Sequence, residues 1–137
     1  MTFLLDTNIL SETKKRAQNA GVKEWLSGIP AEKLHLSVLT IGEIGSGITQ
    51  KRERGDHRQA ASFESWLDDI IAAFGSRIVP VTVEIAREWG AQSRRRPMSA
   101  ADGLIAATAQ VHGWTLVTRN VKDFEHTEVR LLNPFTV

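Results

Sequence analysis

Short apolar runs alternate with longer amphipathic stretches along the whole chain, and that alternation narrows the choice of fold sharply. Residues 3–5, 34–37, 78–81 and 115–117 read as strands, with 129–132 as a candidate fifth. Between them, residues 7–13, 22–27, 38–51, 56–74, 82–93 and 99–112 carry the longer helical patterns, with stops at Gly28, Gly55 and Gly75. Strands joined by helices of this length need crossover connections, which build a parallel sheet covered on both faces. The expectation is therefore α/β: a three-layer α/β/α sandwich around a mostly parallel sheet of four to five strands. Pro80 has no N–H to give a ladder, so the third strand is predicted at an edge.

The chain has 137 residues and neither an internal repeat nor a Pro/Gly/Ser-rich linker, so it reads as one domain over 1–137. A domain of this size buries about two-thirds of its unfolded surface and can fold without staples. It has to, because it contains no cysteine. Disulfide scaffolds, thiolate metal sites and thiol nucleophiles are thereby excluded. The first residues lack the basic-then-apolar pattern of a leader, and no run approaches the roughly 18 apolar residues of a membrane span. A cytoplasmic protein away from membranes is expected.

In open parallel sheets, ligands bind beyond the carboxyl ends of the strands, where strand order reverses. Polar residues follow several of the predicted strands. Asp6 stands directly after strand one, a position where it can also cap the next helix. Glu43 lies on the helix after strand two, among Gly42, Gly45 and Gly47. Three glycines cost a helix about 2–3 kcal/mol relative to alanine, so a backbone or ligand approaching closely is expected there. Asp102 opens a helix in Ser99-Ala100-Ala101-Asp102-Gly103, where Ser99 and Asp102 have capping-box spacing. The helix beyond it is small or apolar nearly all round, the pattern of a buried helix. Asn120 leaves strand four, and Asp123 follows one turn later.

Several acidic groups converging on one sheet edge cannot all stay ionised without a compensating cation. Oxygen donors without cysteine or patterned histidine select a hard ion, Mg²⁺ or Mn²⁺. Net charge is only +1, but basic residues bunch at Lys14-Lys15-Arg16, at Lys51-Arg52 with Arg54, and at Arg94-Arg95-Arg96. Such bunches can track phosphates. An acidic cluster, a hard metal and a basic rim point to phosphodiester hydrolysis by a metal-activated water. A phosphatase that also places Asp after strand one would need a second Asp two residues on, where Asn8 stands.

The segments Leu4-Leu5-Asp6-Thr7-Asn8, Ser37-Val38-Leu39-Thr40-Ile41-Gly42-Glu43, Ala100-Ala101-Asp102-Gly103-Leu104-Ile105 and Leu116-Val117-Thr118-Arg119-Asn120 occur in this order. Together they resemble the PIN-domain ribonucleases, specifically the VapC/FitB-like toxins of bacterial toxin–antitoxin pairs, over essentially the whole chain. The resemblance implies a Mg²⁺-dependent endoribonuclease that arrests growth by cleaving RNA. It also implies a homodimer neutralised by a small DNA-binding antitoxin. Asp6, Glu43 and Asp102 fall on the family's first three acidic positions, and Thr7 and Thr118 on supporting hydroxyls. Asp6 and Asp102 would hold the metal, and Glu43 or Asp102 would position or deprotonate the attacking water. The family's fourth acidic position falls on Asn120, which leaves that ligand open between Asn120 and Asp123. The departure also keeps a second function in view, a catalytically silent RNA-binding or protein-interaction module of the same fold. Lys14, Lys15, Arg16 and Arg94 to Arg96 are the candidate RNA-binding residues.

Overall fold

In the computed structural model, which describes residues 1–95 and 97–136, the apolar runs are strands. They are β1 (Phe3–Leu5), β2 (Leu34–Ser37), β3 (Ile78–Val79), β4 (Thr115–Val117) and β5 (Leu131–Leu132). They form one sheet in the order β3-β2-β1-β4-β5, parallel at every pairing. β3 is an edge strand, as Pro80 predicts, and it ends at Val79 because the next residue cannot donate to the ladder.

Successive strand residues point to opposite faces, and the two faces have separate cores. Phe3, Leu5, Leu34, Leu36 and Val117 face α1 (Thr7–Glu12), α2 (Ala20–Ser27), α3 (Val38–Glu53) and α4 (His57–Phe74). Leu4 and Leu116 face α6 (Ala100–His112) and α7 (Val121–Phe124). The three-layer sandwich follows from that division. α6 is buried through Gly103 and the stretch from Ile105 to Ala109, in keeping with its small, apolar composition. α5 (Val83–Ser93) lies against it so closely that a Cβ at Gly103 would meet the Trp89 ring at 2.7 Å.

For the glycines of α3, the structure answers the backbone half of the expectation. Among the described residues, a Cβ at Gly42, Gly45 or Gly47 would meet nothing within 4 Å, so no described backbone approaches them. α3 packs through Thr40, Ile44 and Ile48, spaced four apart, and the glycines lie off that stripe. They leave open surface instead.

A real close approach occurs at Gly21, where the C-terminal segment crosses the start of α2. Asn19 caps this helix, accepting from the Gly21 and Val22 N–H groups, and also accepts from the Thr136 N–H at 3.0 Å. A Cβ at Gly21 would collide with the Pro134 carbonyl oxygen and come within 2.9 Å of Thr136 N. Gly21→Ala is expected to cost about 1–3 kcal/mol, the range for overpacking against atoms that cannot step aside. Urea denaturation of both proteins measures it, and an unchanged midpoint would mean that the segment swings away freely.

Candidate active site

β1 leads through its crossover to β2 and on to β3, whereas β4 and β5 lie on the other side of β1. Strand order therefore reverses between β1 and β4. Leu5 pairs with Val117, so the next residues, Asp6 and Thr118, leave the sheet side by side at the switch point. Both are buried.

The Asp6 carboxylate is held from three directions. Oδ1 accepts the Thr7 N–H at 2.8 Å, which makes Asp6 the cap of α1. Oδ2 accepts the Thr118 hydroxyl at 2.8 Å and the Asn8 amide N–H at 3.2 Å. A carboxylate has about four lone-pair sites, so one on Oδ1 is left for a ligand. Burial pushes the Asp6 carboxyl above its ordinary value, while the bonds from Thr118 and Thr7 pull the other way. The negative charges of Asp102 and Glu43 add to the rise. Capping and ligation use different lone pairs, so the two readings of Asp6 coexist.

Glu43 sits in the second turn of α3, a helix started by the Ser37 hydroxyl accepting from Leu39 N–H directly after β2. Its Oε1 accepts the Thr7 hydroxyl at 2.6 Å, and the buried Thr40 hydroxyl lies 3.0 Å from the same Thr7 oxygen. Asp102 enters from the first turn of α6, where the Ser99 hydroxyl accepts its N–H at 3.1 Å. Its carboxylate makes no return bond to Ser99 among the described residues, so the capping box is half formed and both carboxylate oxygens stay available.

Asp102 and Asp123 line one cleft of about 320 Å³, together with Ser99, Lys122 and His126. Asn120 opens instead onto the neighbouring depression beside Arg119, Asn133 and the other side of Asp123. Its backbone N–H goes to Thr118 Oγ1 at 3.1 Å, and its side chain makes no cap bond at the start of α7. Thus Asp123 shares the Asp102 cleft and Asn120 does not.

Among the described residues, no three carboxylate, imidazole or thiolate groups stand close enough together to enclose an ion. Direct protein ligation is thereby limited to one or two carboxylates. Mg²⁺ suits that count, since it keeps several waters and binds through one or two carboxylates plus substrate phosphate. The all-oxygen donors and the buried, charge-crowded Asp6 fit a hard divalent cation.

Two contributors are not evident from the sequence pattern. Asn8 joins α1 to the β4 exit, donating to Asp6 and accepting the Arg119 N–H at 3.2 Å. Its signal was its place two residues after Asp6, in the first turn of α1. Thr40 supports Thr7; its three-residue spacing from Glu43 puts both on one face of α3.

The basic bunches divide. Lys15 pairs with Glu12 at 2.9 Å, and Glu12, which also accepts the Asn19 N–H, is held below the usual carboxylate range by Lys15 and that bond. Lys14 donates to Ser62 and sits 5.0 Å from the centroid of the Phe63 ring, while Arg16 is exposed. Lys51 sits 4.5 Å from the same centroid, and Arg52 pairs with Glu64. Arg94 and Arg95 are exposed at the end of α5, and Arg96 lies outside the described residues.

Comparison with known proteins agrees with this fold. The PIN domain family model matches residues 3–129. VapC ribonuclease Y4jK of Sinorhizobium fredii is 30% identical over 139 residues, covering 97% of each chain. The crystal structure of FitAcB from Neisseria gonorrhoeae superposes with a TM-score of 0.86 at 30% identity, over 97% of this chain and 98% of that one. A toxin-antitoxin complex from Klebsiella pneumoniae superposes with a TM-score of 0.68 at 26% identity, over 99% of this chain and 100% of its counterpart.

Proposed function

The chain belongs to the PIN-domain family, and from that premise we propose that it is a Mg²⁺-dependent endoribonuclease, the toxin of a toxin–antitoxin pair. The observation that carries the reading is the Asp6 carboxylate, buried at the switch point, held open on one lone pair and facing the charges of Glu43 and Asp102. The similar VapC ribonuclease and the similar toxin-antitoxin complex support it.

Asp6 and Asp102 are the residues that would hold the cation, and Asp123, which lines the cleft beside Asp102, would act on it through water. The chemistry supplied by bound Mg²⁺ is polarisation of the scissile phosphate and a lowered pKa for adjacent water. The chain does the rest. Thr118 and Asn8 fix the Asp6 carboxylate, so the site is organised before substrate arrives. Thr7 fixes Glu43 through Oε1 and leaves Oε2 to take the proton of the attacking water. Lys14, Arg16, Arg94 and Arg95 supply positive charge for the RNA backbone. A second copy of the chain and a small DNA-binding antitoxin complete the assembly in this reading.

Incubation of the purified protein with single-stranded RNA tests the proposal. Cleavage should require Mg²⁺ or Mn²⁺ and stop with chelator. Binding without cleavage under every metal condition would identify the silent module instead.

The fourth acidic position has its own test. If Asp123 supplies the charge that Asn120 lacks, Asp123→Ala should raise the Mg²⁺ needed for half-maximal cleavage by about 10–100-fold, the range for losing an outer ligand partner. Asn120→Asp should recover part of that loss. A Mg²⁺ titration in which Asp123→Ala coincides with the parent would leave the site to Asp6, Asp102 and Glu43.

A further inference from the structure

A second cleft, of about 160 Å³, leads away from the catalytic carboxylates between α1, α3 and α4. Thr7, Glu43, Gly47, Lys51, Phe63 and Trp66 are among the residues that line it. The ammonium groups of Lys14 and Lys51 both stand over the Phe63 ring, 5.0 and 4.5 Å from its centroid. Neither has an acidic partner among the described residues, although Lys15 and Arg52 next to them do. Two unneutralised cations thus stand over one aromatic ring, and that ring and Lys51 line the same cleft as Glu43.

We infer that this cleft is the subsite for the nucleotide flanking the cleaved phosphate of a single-stranded RNA, with Phe63 as its stacking surface and Lys14 and Lys51 as its phosphate contacts. The inference rests on the ribonuclease reading and names the part of the substrate that this side of the site takes. Single strands are bound in this way, by cationic grooves that carry the backbone and aromatic rings that stack the bases. A paired duplex would keep its bases away from Phe63. The cation–π contacts hold the lysines over the ring while the cleft is free, and an incoming phosphate draws them off it. Gly47 matters for access: nothing lies within 4 Å of where its Cβ would stand, so the side of the cleft is clear. Charge favours RNA over a protein segment as occupant, because a segment would need acids to match both lysines whereas every nucleotide brings a phosphate.

The test is equilibrium binding of a fluorescein-labelled single-stranded RNA decamer of mixed sequence, measured in chelator so that cleavage plays no part. Phe63→Leu keeps an apolar side chain against the core and removes the ring. It should weaken binding by about 5- to 150-fold, the effect of losing one stacked base, without changing the salt dependence. Phe63→Trp should bind at least as tightly as the parent. Lys51→Gln, on a partly exposed helical position, should lower the magnitude of the slope of log K against log salt by about 0.7, one phosphate contact. If both Phe63→Leu and Lys51→Gln bind within two-fold of the parent with its slope, the subsite is overturned, while Mg²⁺-dependent cleavage by the parent would keep the ribonuclease reading. Loss of antitoxin binding with unchanged RNA affinity would overturn it too, and would give the cleft to a protein. A parent that neither binds nor cleaves RNA would remove both readings together.

Discussion

Asp6→Asn should leave the fold in place and reduce RNA cleavage by at least about a hundred-fold. Asparagine caps a helix about as well as aspartate, so α1 keeps its start. What disappears is the ionised oxygen facing the cation. Losing an outer-shell partner of a metal ligand costs about 10–100-fold, and losing the ligand charge itself should cost more. Circular dichroism establishes the fold and cleavage of a labelled RNA measures the loss. Parent-level turnover by a folded Asp6→Asn protein would remove Asp6 from the centre.

The same substitution has a thermodynamic signature. Because burial raises the Asp6 pKa, the native protein holds a proton that the unfolded chain releases, between the ordinary value near 3.8 and the raised one. In that window the native state binds more protons, so stability falls as pH rises. The contribution is present below the ordinary value and lost as pH rises through the raised one. At neutral pH the metal-free parent therefore carries a penalty that Asp6→Asn should lack. Mg²⁺ should offset the penalty by binding only the native state, worth about 2.7 kcal/mol at a hundredfold excess over Kd. Thermal melts across mildly acidic to neutral pH, with and without Mg²⁺, should show both effects in the parent and neither in Asp6→Asn.

The strand pattern was legible because burial on both faces leaves continuous apolar runs, and β2 and β4 coincide with theirs to the residue. β3 is shorter than its run because Pro80 breaks the ladder before Val81. The edge at which Asp6 and Asp102 lie was legible in the same pattern, since Asp6 follows β1 directly and Asp102 opens the helix that leads into β4, whereas Glu43 stands in the second turn of α3. Of their support, the resemblance marked the Thr7 and Thr118 hydroxyls but not Asn8 or Thr40. Asn8 and Thr118 are 110 residues apart, and only the parallel pairing of β1 with β4 makes them neighbours. For the glycines of α3, no described backbone makes the close approach that was one of the two expected reasons, because a helix interior can carry glycine wherever it faces open surface, a fact set by packing and not by composition. Asn120 and Asp123 share a turn in sequence, yet only Asp123 reaches the Asp102 cleft. The path of α7 decides that, and periodicity does not record it.

Glu43→Gln should separate the base from the ligands. Glutamine can still accept the Thr7 hydroxyl through its amide oxygen, so the side chain stays placed while its capacity to take a proton is gone. Turnover should fall by about 10²–10⁴-fold, the usual contribution of general acid–base catalysis, with RNA affinity in chelator unchanged. Mg²⁺ should still raise the melting temperature of Glu43→Gln, because Asp6 and Asp102 are intact. Thr7→Val leaves the carboxylate but removes its tether, so a smaller loss, about ten-fold and confined to kcat, is expected. If Glu43→Gln loses Mg²⁺ stabilisation together with turnover, Glu43 is a ligand, and the proton must go to Asp102. That outcome would move the attacking water to the α6 side of the switch point, where the Asp102 cleft also holds Lys122 and His126.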